Sequence, residues 1–314
     1  MRLSALLIVA GCALAQDAPT FKTSLFLVHV DAEVLDPNGR IVTGLTKDDF
    51  RVLDEGKEQT IRHFSAGDDE LDIILLFDIS GSMEPKVQQV ASAAHEGVQE
   101  LRPGDRVAIM TFNTKTRTVL PFTDDMDLVQ RSIREDILSL HFSGGTLIQN
   151  AVFDAAKRFL HEPRTERRRA VLIITDDMGQ RTRRESTVVT ELWEADALLT
   201  GLIVRGGTTY TVQRINRIAH PYLIPMQAGV RGIAEKTGGD FIQASDPAAG
   251  FPESMRRIRT RYSLYYPMPE GKPGTRRAVR VELAAACLAK HPNARVRART
   301  GYLTPTEEPS PGRP

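Results

Sequence analysis

Between Phe26 and Val34 the apolar side chains Phe26, Val28, Val30, Ala32 and Val34 fall on every second position, with His29, Asp31 and Glu33 between them. A period of two over this length predicts a half-buried strand. Asp36-Pro37-Asn38-Gly39 then forces a turn. Shorter strand patterns at Phe50 to Leu53 and Thr60 to Phe64, split by Asp54-Glu55-Gly56, make residues 20–66 a small β segment. It is too short to hold a core alone.

At Leu71 the pattern changes to a nearly continuous apolar run, Ile73-Ile74-Leu75-Leu76-Phe77, as expected for a central strand of a parallel sheet covered on both faces. Val87, Val90, Ala91, Ala94, Val98 and Leu101 follow at helical spacing until Pro103-Gly104. Arg106 to Phe112 and Thr116 to Phe122 read as neighbouring strands. Helices are predicted near Asp127 to Leu138 and over Ile148, Ala151, Val152, Ala155 and Phe159, and further buried strands at Val171 to Thr175 and Leu198 to Val204. Such alternation predicts a doubly wound α/β domain over residues 70–262, an open, mostly parallel sheet with helices on both faces.

Period two returns at Tyr262 to Tyr266, at Val279, Val281 and Leu283, and at Val296 and Ala298. Since neither β segment is stable by itself, residues 263–303 are expected to pair with the N-terminal segment in one sandwich-like module, with the α/β domain inserted between its halves. The Pro- and Glu-rich end, 304–314, is expected to be disordered.

Composition narrows the function classes. With 41 Lys and Arg against 40 Asp and Glu, the formal net charge of +1 supplies no whole-chain field for nucleic acid or anionic lipid. The Arg-rich stretches Arg167 to Arg169, Arg181 to Arg184 and Arg256 to Arg261 lack interleaved aromatics and a nucleic-acid motif, so they read as solvated faces. Residues 1–15 read as a signal peptide, an apolar run after Met1-Arg2 ending in Ala13-Leu14-Ala15, which implies an exported, periplasmic or secreted protein. No stretch reaches the roughly 20 apolar residues of a spanning helix. Val9-Ala10-Gly11-Cys12 resembles a lipobox, and acylation of Cys12 would instead anchor the protein in the envelope. The other cysteine, Cys287, lies in an apolar run and is expected to be packed core.

The chemistry sits directly after the first buried strand, in Asp78-Ile79-Ser80-Gly81-Ser82. Open α/β folds bind ligands at the carboxyl ends of their strands. Oxygen-bearing side chains at alternate positions of a loop bent at Gly81 can converge on a small hard cation, and Mg²⁺ takes about six oxygens at roughly 2.0–2.1 Å. Taken singly, the motif reads equally as a turn with side-chain-to-backbone hydrogen bonds, and Thr146 as a helix N-cap. The seven histidines form no zinc-spaced pair, no Gly-x-Ser-x-Gly nucleophile elbow is present, and no acidic residue replaces Ser80 to give the Asp-x-Asp of phosphoryl-transfer enzymes.

In these residues the chain resembles the von Willebrand factor type A family, whose metal-ion-dependent adhesion site combines an Asp-x-Ser-x-Ser loop with a Thr and an Asp from two later loops. The resemblance implies Asp78, Ser80, Ser82, Thr146 (in Ser143-Gly144-Gly145-Thr146) and Asp176 (after Val171 to Thr175) as ligands of Mg²⁺, or of Mn²⁺ or Ca²⁺. One departure is Asp177, where the family usually has Gly; the extra carboxylate either alters the third loop or adds negative charge near the metal. Beyond that domain, Gly44 to Gly56, Tyr265-Tyr266-Pro267 and Arg299-Thr300-Gly301-Tyr302 look like the VWFA-related proteins of Acidobacteria. The implied function is non-enzymatic adhesion, in which a partner protein's Asp or Glu completes the metal's coordination. Movement of a last helix, expected at about Pro252 to Tyr262, would carry ligation to the β module. The competing expectations are a metal-dependent hydrolase and a structural envelope protein whose metal only rigidifies loops.

Overall fold

In the computed structural model, which describes residues 26–163, 165–204, 226–227 and 229–306, four strands come first. They are β1 (Leu27–Leu35), β2 (Phe50–Asp54), β3 (Lys57–Gln59) and β4 (His63–Ala66). The alternating stretch begins with β5 (Leu71–Asp78), α1 (Glu84–Ser92), α2 (Ala94–Gln99), β6 (Arg106–Phe112), β7 (Thr116–Thr123) and α3 (Met126–Arg131). It continues through α4 (Ile148–Leu160), β8 (Arg168–Thr175), β9 (Met178–Gly179), α5 (Glu185–Glu194), β10 (Ala197–Val204) and β11 (Met226–Gln227). After α6 (Val230–Thr237), β12 (Phe241–Ala244) and α7 (Pro247–Arg259), the chain closes with β13 (Tyr262–Pro267), β14 (Arg276–Leu283), α8 (Ala285–Lys290), β15 (Arg295–Ala298) and β16 (Gly301–Leu303). The expected signal peptide and Cys12 lie outside the described residues.

The doubly wound domain has a six-stranded sheet in the order β12-β10-β8-β5-β6-β7, parallel except for β7. Its middle explains the unbroken apolar run. Ile73, Leu75 and Phe77 pack with Val87, Val90, Val98, Met255 and Ile258 on one face, while Ile74 and Leu76 pack with Ile148, Val152, Phe159, Val188 and Ile233 on the other. A strand with helices on both sides has no polar face, so it cannot alternate.

The two β segments form a sandwich in which each sheet draws on both ends of the chain. One sheet has the order β15-β1-β13-β4 and the other β16-β14-β2-β3. Val30 stands opposite Leu264 and Val52 opposite Val281 in antiparallel register. The core between the sheets holds Val30, Val34, Phe50, Val52, Leu264, Tyr266, Tyr302 and the buried Cys287. The expected insertion of the α/β domain into a β module is the observed architecture.

The polar face of β1 differs from expectation. Asp31 and Glu33 are buried at 9% and 1% exposure, because that face lies against the α/β domain and not against water. Arg168 of β8 donates from Nε to Asp31 Oδ1 at 2.7 Å, and Arg257 and Arg261 come within 3.7 Å of Glu33. Arg168, Arg169, Arg259 and Arg261 are therefore buried, correcting the expectation that two of the Arg-rich stretches are solvated faces; Arg256 and the whole of the Arg181, Arg183 and Arg184 stretch are exposed. Period-two alternation marks a chemically two-faced strand, and its polar face can be buried where arginines meet its carboxylates.

His29 belongs to the same junction. Its Nδ1 lies 2.9 Å from Asp196 Oδ2 and its ring stacks on Tyr265. Burial alone would lower its pKa, but the Asp196 and Asp31 carboxylates outweigh that and raise it to about 10. A histidine raised above its unfolded value stabilises the fold fully below about pH 6.5, and that contribution is lost as pH rises through the folded value. Between pH 7 and 10, wild-type stability should thus fall more steeply than that of His29→Gln, by up to about 1.4 kcal/mol per pH unit. Urea unfolding of both proteins across that window checks it, and parallel curves would refute it.

Two boundaries are corrected. The last helix runs Pro247–Arg259, capped by Asp246, whose side chain accepts from Ala248 N–H at 2.9 Å, so Met255 and Ile258 face the core but Tyr262 opens β13. Thr304, placed by sequence in a disordered tail, is 3% exposed and bonded to Thr275; residues 307–314 lie outside the described residues.

Candidate functional site

Parallel register brings the ends of β5 and β8 side by side, with Phe77 paired to Ile174. The next residues, Asp78 and Thr175, meet directly: Thr175 Oγ1 donates to Asp78 Oδ2 at 2.7 Å. The chain then leaves the sheet at both strands. Asp78 Oδ1 accepts from Ser80 N–H at 2.9 Å, bending the loop so that the Ser80 and Ser82 hydroxyl oxygens stand 3.4 Å apart. Ser82 Oγ donates to Asp176 Oδ2 at 2.9 Å. Four of the five expected ligands, Asp78, Ser80, Ser82 and Asp176, are thus joined in one network at the carboxyl end of the sheet.

The loop that carries Thr146 is joined to the other two through backbone contacts. Ser143 N–H donates to Ile79 C=O at 3.0 Å, tying the second loop to the first, and Gln180 N–H donates to Thr146 C=O at 3.3 Å, tying it to the third. Gly179 permits that approach, since a Cβ there would lie 2.5 Å from Thr146 O. The three loops are closed on one another pairwise.

Asp78 is fully buried and Asp176 is 2% exposed. Burial pushes the Asp78 carboxyl up to about 6, against hydrogen bonds from Thr175 and Ser80, with the neighbouring Asp176 charge adding to the rise. Such a carboxylate is short of positive charge. Among the described residues no group of three or more His, Cys, Asp or Glu is placed to hold a metal ion. Any cation here must take hydroxyl as well as carboxylate oxygens, the donor chemistry that Mg²⁺ and Ca²⁺ accept. On that ground the residues fit a hard divalent cation.

Asp177 has φ +58° and is 2% exposed. That left-handed conformation favours Gly, and Asp is among the few side chains that tolerate it. Its N–H donates to Thr175 Oγ1 at 3.2 Å, and its Oδ1 accepts from Val230 N–H at 3.3 Å, at the start of α6. The extra carboxylate thus serves a helix N-terminus, where a negative charge is favoured.

Three organising residues escaped the sequence reading. Thr175 orients Asp78, and its place as the last residue of a buried apolar strand was the available signal. Asn113 gathers the loops, donating from Nδ2 to Ser143 C=O at 3.1 Å and accepting at its own C=O from Leu147 N–H at 3.0 Å. Lys86 Nζ lies 3.7 Å from Asp176 Oδ2, and nothing in the local pattern distinguishes it from a surface lysine.

Residues 73–180, the segment that contains all three loops, match the family model of the von Willebrand factor type A domain. The chain carries a von Willebrand factor type A domain. A search of curated proteins finds no match. Among solved structures, the chain is similar to a von Willebrand factor type A protein from Catenulispora acidiphila at 12% identity, covering 91% of this chain and 76% of that one with a TM-score of 0.45. It is also similar to proximal thread matrix protein 1 from the mussel byssus, with a zinc-occupied MIDAS motif (16% identity, 67% and 50% covered, TM-score 0.49), and to BatB from Bacteroides thetaiotaomicron (18%, 60% and 97%, 0.44). Among the described residues, no helix of this domain or of the β module is long and apolar enough to cross a membrane.

Proposed function

We propose that this protein is an exported, non-enzymatic binding module that captures an Asp or Glu side chain of a partner protein through a divalent cation held by Asp78, Ser80, Ser82, Thr146 and Asp176. The observation that carries the reading is the hydrogen-bonded set Asp78, Ser80, Ser82 and Asp176 at the mouth of the sheet, in the matched domain. Bound there, Mg²⁺ or Mn²⁺ supplies an open position for a carboxylate oxygen. The protein's own part is to hold oxygens in place. Thr175 and Ser80 fix the Asp78 carboxylate, and Ser82 and Met178 N–H fix that of Asp176. Three of the five side chains are neutral hydroxyls, so the set brings no more than two negative charges to the cation and leaves a position in its coordination sphere for one more anion.

The test is a calorimetric titration with Mg²⁺ and Mn²⁺, paired with capture from envelope extracts with and without EDTA. One saturable metal site and capture of a defined protein only without chelator are expected. Equal yields under both conditions would remove the metal bridge, and steady turnover of a simple ester or phosphoester would favour a hydrolase.

A further inference from the structure

Lys86 lies in the first turn of α1, 9% exposed, and its ammonium nitrogen is buried without a hydrogen-bond partner among the described residues. Two physical terms oppose this placement. An ammonium taken out of water without hydrogen bonds is strongly disfavoured, and the first turn of a helix carries the positive end of its dipole. What offsets them is the acidic ground beside it. Asp176 Oδ2 is 3.7 Å from Nζ, and Asp78, Asp176 and Asp177 are three buried carboxylates on adjacent loops.

Lys86 is not required to position Asp176. Ser82 Oγ already donates to Oδ2 of that carboxylate, and Met178 N–H to Oδ1 at 3.1 Å. The remaining task for the ammonium is to balance charge. We propose that Lys86 is an internal counter-cation of the metal site: it offsets the charge of Asp176 when no metal is bound and, by like-charge repulsion, weakens divalent-cation binding so that loading stays reversible. The inference rests on the metal-bridge reading. A divalent cation held through Asp176 would share that carboxylate with the ammonium, and at close range in a poorly solvated pocket the two positive charges oppose one another.

Lys86→Met keeps the length and the apolar stem while removing the charge, and Lys86→Arg keeps the charge. Each is compared with wild type by Mn²⁺ titration calorimetry and by thermal unfolding in EDTA and in Mn²⁺. Lys86→Met should bind Mn²⁺ at least about tenfold more tightly. It should melt lower than wild type in EDTA yet gain a larger rise in Tm from metal, while Lys86→Arg stays near wild type. If Lys86→Met cannot be purified without metal, Lys86→Gln prepared in Mn²⁺ and then dialysed carries the same comparison. Wild-type-like or weaker binding by the charge-removed variants, with wild type itself binding, overturns the counter-cation role. Absence of any Mn²⁺-dependent heat or Tm rise in wild type and variants alike overturns the metal reading, and this inference with it.

Discussion

Asp78→Ala is expected to abolish divalent-cation binding, with a loss of at least about 100-fold, since removal of even an outer-shell partner typically costs 10–100-fold. Asp78 is the residue on which the first loop turns, bonded to Ser80 N–H and to Thr175 Oγ1. The more informative half of the experiment is stability without metal. Burial raises the Asp78 carboxyl to about 6, so between about pH 4 and 6 the folded protein holds a proton that the unfolded chain has released. Stability falls as pH rises through that window, and at neutral pH the charged carboxylate opposes folding. Asp78→Asn, which removes the charge and keeps an acceptor for Ser80 N–H, should therefore unfold in EDTA at a urea concentration equal to or above that of wild type at pH 7. Its metal affinity should be lost all the same. A purely structural carboxylate would show the reverse, a large fall in stability in EDTA. Unchanged Mn²⁺ affinity in Asp78→Ala would sink the ligand assignment outright.

The sheet was readable because the unbroken run at Ile73 to Phe77 has one physical solution, a strand covered on both faces, and helix-spaced residues such as Val87, Val90 and Val98 supply one cover. The loop at Asp78 was readable because oxygen-bearing side chains stand at alternate positions directly after a buried strand, whereas Thr146 and Asp176 entered only through the resemblance to the family. What sequence could not supply was the destination of charges. Arg168, Arg261, Asp31 and Glu33 carry the same composition as surface residues, and only the docking of the sandwich on the α/β domain makes them core. Lys86 was invisible for the same reason, since its significance lies in a carboxylate ninety residues away in sequence.

Arg168→Met should destabilise the protein by about 3–5 kcal/mol, the range for breaking one side of a buried ion pair. The guanidinium is 1% exposed and ties three elements together. Nε donates to Asp31 Oδ1 of β1 at 2.7 Å, while the two terminal nitrogens donate to Ile258 C=O at 2.9 Å and Arg259 C=O at 3.3 Å. It therefore caps the last carbonyls of α7, the end of a helix where a cation is favoured, and in the same gesture anchors the β module. Met fills the space and meets none of these groups, leaving the buried Asp31 carboxylate with His29 at 3.6 Å and the more remote charge of Arg261. Asp31→Asn in the Arg168→Met background should recover part of the loss, so a double-mutant cycle by urea unfolding should return a coupling of about 1–3 kcal/mol. Additive effects, each under about 1 kcal/mol, would show that the junction is held by apolar contact and that the ion pair is incidental. The same guanidinium stands between α7 and the sandwich, so its bonds to Ile258, Arg259 and Asp31 offer a route for any displacement of α7 on ligation, beside the chain's own passage into β13. If the two modules communicate, Arg168→Met should uncouple them: metal-induced changes in fluorescence from Trp193, whose indole N–H donates to Lys236 C=O beside the junction with β15, should shrink while Mn²⁺ affinity is retained.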